Sequence, residues 1–336
     1  MPRTILPDAR VSPRFAGLAT FCRVPRLADV DRAQRPVDWA IYGVPFDGGV
    51  TYRPGARFGP RAIRDASQYV KRYSMHHAVD VCERLSIADA GDAPVSPFDL
   101  PGTLALVGEH AAGLADPSTR LLAVGGDHSV ALANIRATHA RLGRGGGGKS
   151  ARRGGKKGAP MPLIHFDAHL DTTDEVWGSR WSHASPFRRA IEEGLIDPRL
   201  TISLGIRGPL NSGDDLRFAR QSGITVIAAD DLVGCNAARG QARLSAFVKK
   251  LGRRPAYVSF DVDVVDPAFA PGTGTPASGG LSSVEAIALV RALRGVTLAG
   301  ADVVEVLPDR DHAGCTALLA ATILFEIISL DALRRK

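Results

Sequence analysis

The chain has 336 residues, of which 45% are hydrophobic, enough for one large domain with a sizeable core. A net charge of +7 suggests a nucleic-acid partner, but residues 141–160 contain seven Lys or Arg and no acid, which equals the entire net charge. This Gly-rich stretch has no aromatic residue for base stacking, so we predict a disordered basic insertion at 143–159 and no nucleic-acid partner.

Eight short apolar runs alternate with helix-like segments along the chain. They cover 38–43, 85–92, 121–126, 162–167, 200–206, 224–229, 256–261 and 301–306. Strands that alternate with helices predict an α/β fold, and near-continuous apolar runs are typical of parallel strands buried on both faces. We therefore expect a three-layer α/β/α fold with a mainly parallel eight-stranded sheet. One catalytic domain at 36–336 would follow an N-terminal extension at 1–35, which packs on the domain or on a neighbouring subunit.

The apolar stretch 316–330 is the one candidate for a membrane segment. It is shorter than the roughly 20 residues that a span needs, and it carries Glu326, so we predict a C-terminal core helix and no membrane partner. The four cysteines form no Cys-x-x-Cys pair, which argues against a zinc knuckle or a disulfide scaffold. Because the N-terminus also lacks the apolar segment of a signal peptide, we expect a cytoplasmic protein.

The fourth predicted strand runs into an unusual set of ionisable residues. The segment "HFDAHLD" places Asp167, His169 and Asp171 at every second position, so in an extended chain all three project to one face. Buried carboxylates need compensation, and a metal ion between them supplies it. A solvated loop explains one such pair equally well, so the choice between a loop and a metal site depends on the residues at the other strand ends.

Three further strand ends carry similar residues. His128 follows the run "LLAVGG", and Asp261 and Asp263 stand at i and i+2 after "YVSF". Glu305 lies near the end of the last predicted strand. The active site of a parallel sheet lies outside the carboxyl ends of its strands, where all of these residues are expected.

These strand ends together offer two imidazoles, four carboxylates and no thiolate. The candidate ligands are His128, Asp167, His169, Asp171, Asp261 and Asp263. One divalent ion cannot use all six, whereas two ions that share carboxylates can, and paired ions serve hydrolytic enzymes by activating water. Oxygen and imidazole ligands favour Mn²⁺, with Ni²⁺ as the alternative.

The chain resembles the ureohydrolases, the arginase and agmatinase family, over nearly its whole length. The matching segments are "GGDHS", "HFDAHLDTTD", "SHASPFRRAIEEGLID", "SFDVDVVDPAFAPGTGTPASGGL" and "EVLPDRDHAGCTALLAA". Two earlier segments, "RFAGLATFCRVPRL" and "YGVPFDGGVTYRPGARFGPRAIR", are similar to the agmatinase branch.

The resemblance implies hydrolysis of a guanidino group to urea and an amine at a binuclear metal site. By motif, one ion would be held by His128, Asp167, Asp171 and Asp261, and the other by His169, Asp167, Asp261 and Asp263, with Asp167 and Asp261 as bridges. His183 matches the catalytic histidine, with Asp171 as a proton relay, and Glu305 matches the residue that binds the guanidinium. His165 is expected to pack in the core.

The substrate tail is expected to meet two loops, 174–181 and 47–53. Their candidate contacts are Asp174, Trp177, Trp181, Tyr52 and Arg53. Agmatine is the first choice, because the resemblance is closest to agmatinases and because Asp174 and Glu175 could attract a distal ammonium. Arg53 and Arg310 would instead favour the carboxylate of guanidinobutyrate or guanidinopropionate. The aromatic residues would suit guanidine itself, an alkylated guanidine or a biguanide.

Two alternatives to this assignment remain at the level of the sequence. A deacetylase-like relative would share the fold but use one zinc ion, and the doubled acidic pair with two histidines argues against it. A non-catalytic partner subunit would be expected to lack metal ligands, and none is missing. The resemblance also implies a homo-oligomer, a trimer or a hexamer, which could include a paralogous subunit.

Overall fold

The computed structural model describes residues 3–32, 36–145 and 158–335. Its strands are β1 Trp39–Val44, β2 Tyr73–Ser74, β3 Val79–Asp80, β4 Ile87–Asp92, β5 Arg120–Gly125, β6 Met161–Phe166, β7 Ile196–Ile206, β8 Thr225–Ala228, β9 Pro255–Asp261 and β10 Thr297–Val304. Eight of them form one parallel sheet in the order β4-β1-β5-β10-β9-β6-β7-β8, and β2 and β3 pair separately as an antiparallel ribbon.

Helices cover both faces of the large sheet. They are α1 Gly59–Ser67, α2 Val81–Arg84, α3 Leu100–Leu114, α4 Ala131–Gly145, α5 Pro186–Glu192, α6 Arg217–Ser222, α7 Ala237–Leu251, α8 Ser283–Arg291 and α9 Cys315–Ala332. Apolar side chains of α1, α7, α8 and α9 join the core on one face of the sheet. Those of α3, α4 and α5 join a second core on the other face.

All eight predicted strands occur, and they belong to the one sheet, so the three-layer α/β/α prediction is confirmed. The largest differences are in β7 and β10. Strand β7 begins at Ile196, four residues before the predicted start at 200; β10 begins at Thr297, four residues before the predicted start at 301, and ends at Val304, two residues before the predicted end. The pairing of β6 with β7 shifts between Met161 and Leu163, and this irregularity accommodates the extra residues of β7.

The C-terminal helix α9 lies in the core. By length and composition the segment His312–Ala332 could cross a membrane, yet 67% of its apolar window is buried inside the protein. Glu326, in the middle of this helix, accepts a hydrogen bond from Arg291 Nη2 at 2.5 Å. A paired buried charge and contacts with α1 and α8 favour a core helix over a membrane span.

The N-terminal residues 3–32 lie against the same chain at the outer edge of the sheet. Thr4 Oγ1 donates to the carbonyl oxygen of Leu85 at 2.6 Å and accepts from the backbone N–H of Ile87 at 2.9 Å. Arg26 forms an isolated parallel bridge with Asp89 of β4. A further contact of this segment with a neighbouring subunit stays a prediction.

Most of the predicted basic insertion, residues 146–157, lies outside the described residues. Its first residues, 143–145, continue helix α4 and are therefore not part of an irregular segment. On the far side, the carbonyl oxygen of Gly158 lies 3.1 Å from His139 Nε2. A β-carbon placed on Gly158 would lie 3.8 Å from Gly143 Cα, so the described residues on the two sides of 146–157 lie close together.

Candidate active site

The polar residues that the sequence singles out lie at the ends of the four central strands. Because all strands of the sheet are parallel, their carboxyl ends meet at one edge. His128 follows β5, Asp167, His169 and Asp171 follow β6, Asp261 ends β9 and is followed by Asp263, and Glu305 follows β10. Only glycine fits at Gly126, where a β-carbon would lie 2.0 Å from the carbonyl oxygen of Phe46, and this close passage directs the chain toward His128.

The ring of His128 faces three carboxylates. Its Nδ1 lies 3.1 Å from Asp167 Oδ2, 2.9 Å from Asp171 Oδ2 and 3.3 Å from Asp261 Oδ2. None of these contacts has hydrogen-bond geometry, and Nδ1 is buried without a hydrogen-bond partner. Nε2 lies 2.8 Å from Ser259 Oγ, which gives the ring proton a partner on the other side. A lone pair on Nδ1 that points at three carboxylates fits a divalent cation between them.

A second group of ligand atoms lies beside the first. His169 Nδ1 is 3.0 Å from Asp263 Oδ2 and 3.4 Å from Asp167 Oδ1. Asp167 therefore presents one oxygen to each histidine, as a bridging carboxylate would. Asp167 Oδ1 also accepts the backbone N–H of His169 at 2.6 Å, and Asp261 Oδ1 accepts that of Asp263 at 2.8 Å, so the bridging roles of both carboxylates stay predictions.

The electrostatics of these two groups indicate an excess of negative charge. Burial and the neighbouring carboxylates of Asp263 and Asp167 raise the pKa of Asp261 well above its ordinary value. Burial lowers the pKa of His169, but Asp263 and Asp167 outweigh burial and raise that pKa to about 12. Such shifts are expected where cations are needed to neutralise clustered carboxylates, and the residues present fit a binuclear metal site.

His183 and Glu305 form a pair next to the ligands. His183 Nδ1 lies 2.9 Å from Glu305 Oε1, and Nε2 accepts the backbone N–H of Thr51 at 3.0 Å. Burial lowers the pKa of His183, but Glu305 outweighs burial and raises that pKa to about 9. In the neutral ring the Nε2 lone pair accepts the Thr51 N–H, whereas a second ring proton on Nε2 would face the Thr51 hydroxyl oxygen at 2.7 Å. We therefore assign the proton of the neutral ring to Nδ1, where it is donated to Glu305.

The two oxygens of Glu305 have different environments. Oε1 also accepts the backbone N–H of His128 at 2.9 Å. Oε2 is buried and has no hydrogen-bond partner. It faces Gly274, where a β-carbon would lie only 3.6 Å away, so a larger residue would narrow the space beside this oxygen. A buried carboxylate oxygen without a partner is suited to binding a cationic group.

Two of the candidate catalytic residues have an uncommon backbone conformation. Asp171 has φ 50° and Glu305 has φ 66°, both in the left-handed region that non-glycine residues rarely adopt. Contacts hold both in place, since Glu305 N–H donates to Gly126 at 2.9 Å and Asp171 accepts from Phe187 N–H at 3.2 Å. Strain of this kind is concentrated at functional sites, where the surrounding structure maintains it.

A cavity of about 580 Å³ opens above the ligands. Its inner wall contains His169, Asp171, His183, Asp261 and Thr275, and its outer wall contains Glu175, Val176, Trp177, Leu210 and Asn211. Trp177 is 83% exposed and lies at a loop tip, where Val176 and Ser179 pair with each other. The inner wall is suited to the reacting group of a substrate and the outer wall to its tail.

The other candidate tail residues are placed differently from expectation. Asp174 pairs with Arg189, and with Arg188 and Arg180 at 3.4 and 3.6 Å, so it is not a free acid at the cavity. Trp181 packs against the core near α5, with the Arg136 guanidinium 5.9 Å from its ring centroid. The structure brings neither residue to the cavity wall.

Tyr52 and Arg53 follow Thr51, which lines the cavity, but neither of them lines it. The Arg53 guanidinium lies 4.7 Å from the Tyr52 ring centroid, and its Nη2 donates to the Tyr52 hydroxyl at 3.2 Å. A β-carbon on Gly274 would lie 2.9 Å from the Arg53 carbonyl oxygen, which places the Arg53 backbone near Glu305.

Sequence reasoning missed several supporting residues. His165 is buried as expected, but its Nε2 also lies 2.8 Å from Asp167 Oδ2, so it holds a ligand. Ser259 contacts His128, and Asp302 contacts Ser259 from behind. The interruption of apolar runs by Ser259 and Asp302 was an available signal. Nothing local to Thr51 connects it with His183, which is 132 residues away.

Comparisons with known proteins agree with this geometry. The arginase family model matches residues 37–329. Guanidinopropionase from Pseudomonas aeruginosa is 46% identical over 335 residues, which cover 97% of this chain and 95% of the relative. Agmatinase from Neisseria meningitidis serogroup C is 39% identical over 300 residues, which cover 89% of this chain and 88% of the relative.

A solved structure shows the same fold. The proclavaminate amidino hydrolase of Streptomyces clavuligerus superposes with a TM-score of 0.83 at 39% sequence identity, over 96% of this chain and 99% of the other. The chain therefore belongs to the arginase family. It is a hydrolase that acts on C–N bonds of guanidino compounds.

Proposed function

We propose that this hydrolase acts on a guanidino acid, a substrate whose tail ends in a carboxylate, and releases urea and an amino acid. The observation that carries the proposal is Glu305 Oε2, a buried carboxylate oxygen without a hydrogen-bond partner, next to the paired ligand groups. A guanidinium is a planar cation whose N–H groups match carboxylate oxygens.

The carboxylate tail is supported by the charges around the cavity. Arg53 does not line the cavity itself, but it lies two residues after Thr51, which does, and it forms no ion pair among the residues that the structure describes. Asp174, the expected partner of a distal ammonium, is already paired with Arg189. Identity to guanidinopropionase, at 46%, also exceeds that to the agmatinase, at 39%.

Agmatine remains a second candidate, because one observation favours it. Glu175 lines the outer wall of the cavity and could attract a distal ammonium. The proposal thus depends on which of two charged residues, Arg53 or Glu175, contacts the substrate tail.

The proposed cofactors are two divalent ions held by His128, Asp167, Asp171, Asp261, His169 and Asp263. A ligand set of oxygen and imidazole without thiolate favours Mn²⁺, with Ni²⁺ as the alternative. When bound, such a pair of ions activates water for attack at neutral pH.

The protein's own residues would bind the guanidinium and supply the proton for the leaving amine. Glu305 binds and orients the guanidinium. Overall, one water adds to the guanidinium carbon, the bond to the substituted nitrogen breaks, and urea and a protonated amine leave. His183, whose Nε2 lies beside Thr51, and Asp171 are the proposed groups that carry a proton to that leaving nitrogen.

A urea-release assay with separately Mn²⁺- and Ni²⁺-loaded protein tests this proposal. The panel contains guanidinopropionate, guanidinobutyrate, agmatine, arginine and guanidine. We expect the highest kcat/KM for one of the two guanidino acids. A preference for agmatine would make agmatinase the function, and turnover of guanidine alone would replace both with a small-guanidine hydrolase.

The cytoplasmic location and the homo-oligomer, a trimer or hexamer that could include a paralogous subunit, stay proposals as well. Light scattering coupled to size-exclusion chromatography measures the mass of the purified assembly. A mass equal to one chain would overturn the oligomer.

A further inference from the structure

A row of buried polar side chains crosses the sheet behind the proposed ligands. Ser259 of β9 pairs in register with Asp302 of β10 on one side and with His165 of β6 on the other. Ser259, Asp302 and His165 are fully buried, and each has an apolar residue on both sides of it in its strand. Burial of a carboxylate such as Asp302 is costly unless several donors satisfy it.

The hydrogen bonds around Asp302 all point toward it. Ser259 Oγ donates to Asp302 Oδ1 at 2.5 Å, and the Tyr257 hydroxyl donates to Asp302 Oδ2 at 2.6 Å. Because the hydroxyl hydrogen of Ser259 is used in this way, Ser259 Oγ can only accept from His128 Nε2, which is 2.8 Å away.

The far end of the row is fixed by the backbone. Asn134 Nδ2 donates to the carbonyl oxygen of Ala301 at 2.8 Å and to the Tyr257 hydroxyl at 2.6 Å. The carbonyl of Ala301 can only accept, so the Asn134 amide cannot turn over. Tyr257 therefore receives a hydrogen bond from Asn134 and must give its own hydrogen to Asp302.

We propose that Asp302, acting through Ser259, is a positioning residue that sets the tautomer of His128. It places the ring proton on Nε2 and leaves the Nδ1 lone pair for the metal group formed with Asp167, Asp171 and Asp261. The inference rests on the metal centre of the proposed function. Partners that fix the tautomer of a ligating histidine typically change metal affinity by about 10- to 100-fold when they are removed.

The substitution Asp302→Asn tests this inference, because it should reverse the hydrogen bonds that lead to His128. Tyr257 cannot reverse without leaving its own hydrogen buried and unpaired, so the amide nitrogen of Asn would face Ser259. The Ser259 hydroxyl would then accept from Asn and donate to His128 Nε2. That reversal moves the ring proton to Nδ1, where it blocks metal binding.

Direct metal titration tests the inference independently of any substrate. The metal-free protein and its variants are titrated with Mn²⁺ against a competing chelator, and bound ions per chain are counted by elemental analysis. We expect two ions in the wild type and an affinity about 10- to 100-fold weaker for one of them in Asp302→Asn. The matched comparison is Tyr257→Phe, which removes the other hydrogen bond of the same carboxylate but leaves Asp302 as the acceptor for Ser259, so it should keep both ions and lose less affinity than Asp302→Asn.

A double variant separates tautomer control from damage to the core. Ser259→Ala removes the hydroxyl that would deliver the wrong proton, so Asp302→Asn with Ser259→Ala should bind metal more tightly than Asp302→Asn alone. Thermal unfolding of the metal-free proteins checks that each is folded. If Asp302→Asn does not fold, the single variants Ser259→Ala and Tyr257→Phe are compared instead. Ser259→Ala should then bind metal more weakly than Tyr257→Phe.

Three results would overturn the inference. The first is an Asp302→Asn protein that keeps both ions at wild-type affinity. The second is a Tyr257→Phe protein that loses as much metal affinity as Asp302→Asn. The third is a double variant that binds metal more weakly than Asp302→Asn alone. A wild type that binds fewer than two ions would instead overturn the proposed metal centre, and the inference with it.

Discussion

At the scale of single residues, Glu305 combines a strained backbone with an unpaired side-chain oxygen. Oε1 is held by His128 N–H and His183, which leaves Oε2 for a ligand. Because only Oε1 has hydrogen-bond partners, a substitution that replaces Oε2 can remove the charge and keep the contacts of Oε1 with His128 and His183.

We therefore predict that Glu305→Gln lowers kcat/KM for every guanidino substrate while metal content is unchanged. Loss of one partner of a buried charged contact costs at least about 2 kcal/mol, or roughly 30-fold. The control Glu192→Gln changes an exposed acid that pairs with Arg188 and Arg180, and should have little effect. A Glu305→Gln enzyme with full turnover would exclude guanidinium binding at this residue.

The tail of the substrate gives a second prediction at this scale. Arg53→Ala should lower kcat/KM for guanidino acids by roughly tenfold, because a charge-assisted hydrogen bond contributes about 1.5 kcal/mol. Agmatine turnover should not fall. The control Arg253→Ala changes an exposed arginine before β9, at the opposite edge of the sheet.

Glu175→Gln is the converse variant. It should leave guanidino-acid turnover intact or raise it, and lower agmatine turnover if any is present. Should Arg53→Ala spare all substrates while Glu175→Gln impairs the preferred one, the carboxylate tail would be excluded.

At the scale of elements, the strands were the easiest part to predict. The central strands of the sheet are buried on both faces, so they appear in the sequence as short, near-continuous apolar runs, and all eight predicted runs correspond to strands. The metal ligands were accessible for the same reason, because charged residues at the ends of such runs stand out. His128, Asp167 and Asp261 needed no knowledge of which strands are neighbours.

Contacts between loops could not be predicted in this way. Asp174 looked free in the sequence, but the fold brings Arg189 of α5 to it, and that pairing depends on how the loop after β6 returns. The contact of Thr51 with His183 is equally non-local. Such contacts are fixed by tertiary packing rather than by local pattern.

Helix α9 provides a prediction about an element. Leu324 is fully buried, whereas Leu318 on the same helix is 42% exposed. Leu324→Ala should lower the free energy of unfolding by about 2 to 5 kcal/mol, and Leu318→Ala should lower it by much less. Urea denaturation followed by circular dichroism measures both. Equal, small effects would contradict the placement of α9 in the core.

At the scale of the whole molecule, the candidate site lies at one edge of the sheet, and the described residues that flank the basic segment lie at the opposite edge. Helix α4 begins just after His128 and runs back for 15 residues, or about 22 Å, to the amino end of β6. Gly143 and Gly158, which flank the basic residues 144–157, lie close together there, because a β-carbon on Gly158 would lie 3.8 Å from Gly143 Cα.

We predict that deletion of residues 144–157, which joins Gly143 directly to Gly158, leaves two ions per chain and turnover within a few-fold of wild type. The short gap between the joined residues can close without moving β6, and the ligands lie at the far end of α4. The deletion removes six of the seven cations that account for the net charge, so the salt concentration that elutes the protein from heparin should fall.

A Gly/Ser segment of equal length is the matched control, since it removes the charge but keeps the length. If turnover is lost in the deletion but not in this control, the length of the segment matters to the domain. If turnover is lost in both, the side chains of the segment act on the site or on a subunit contact, and the separation of the two edges would be wrong.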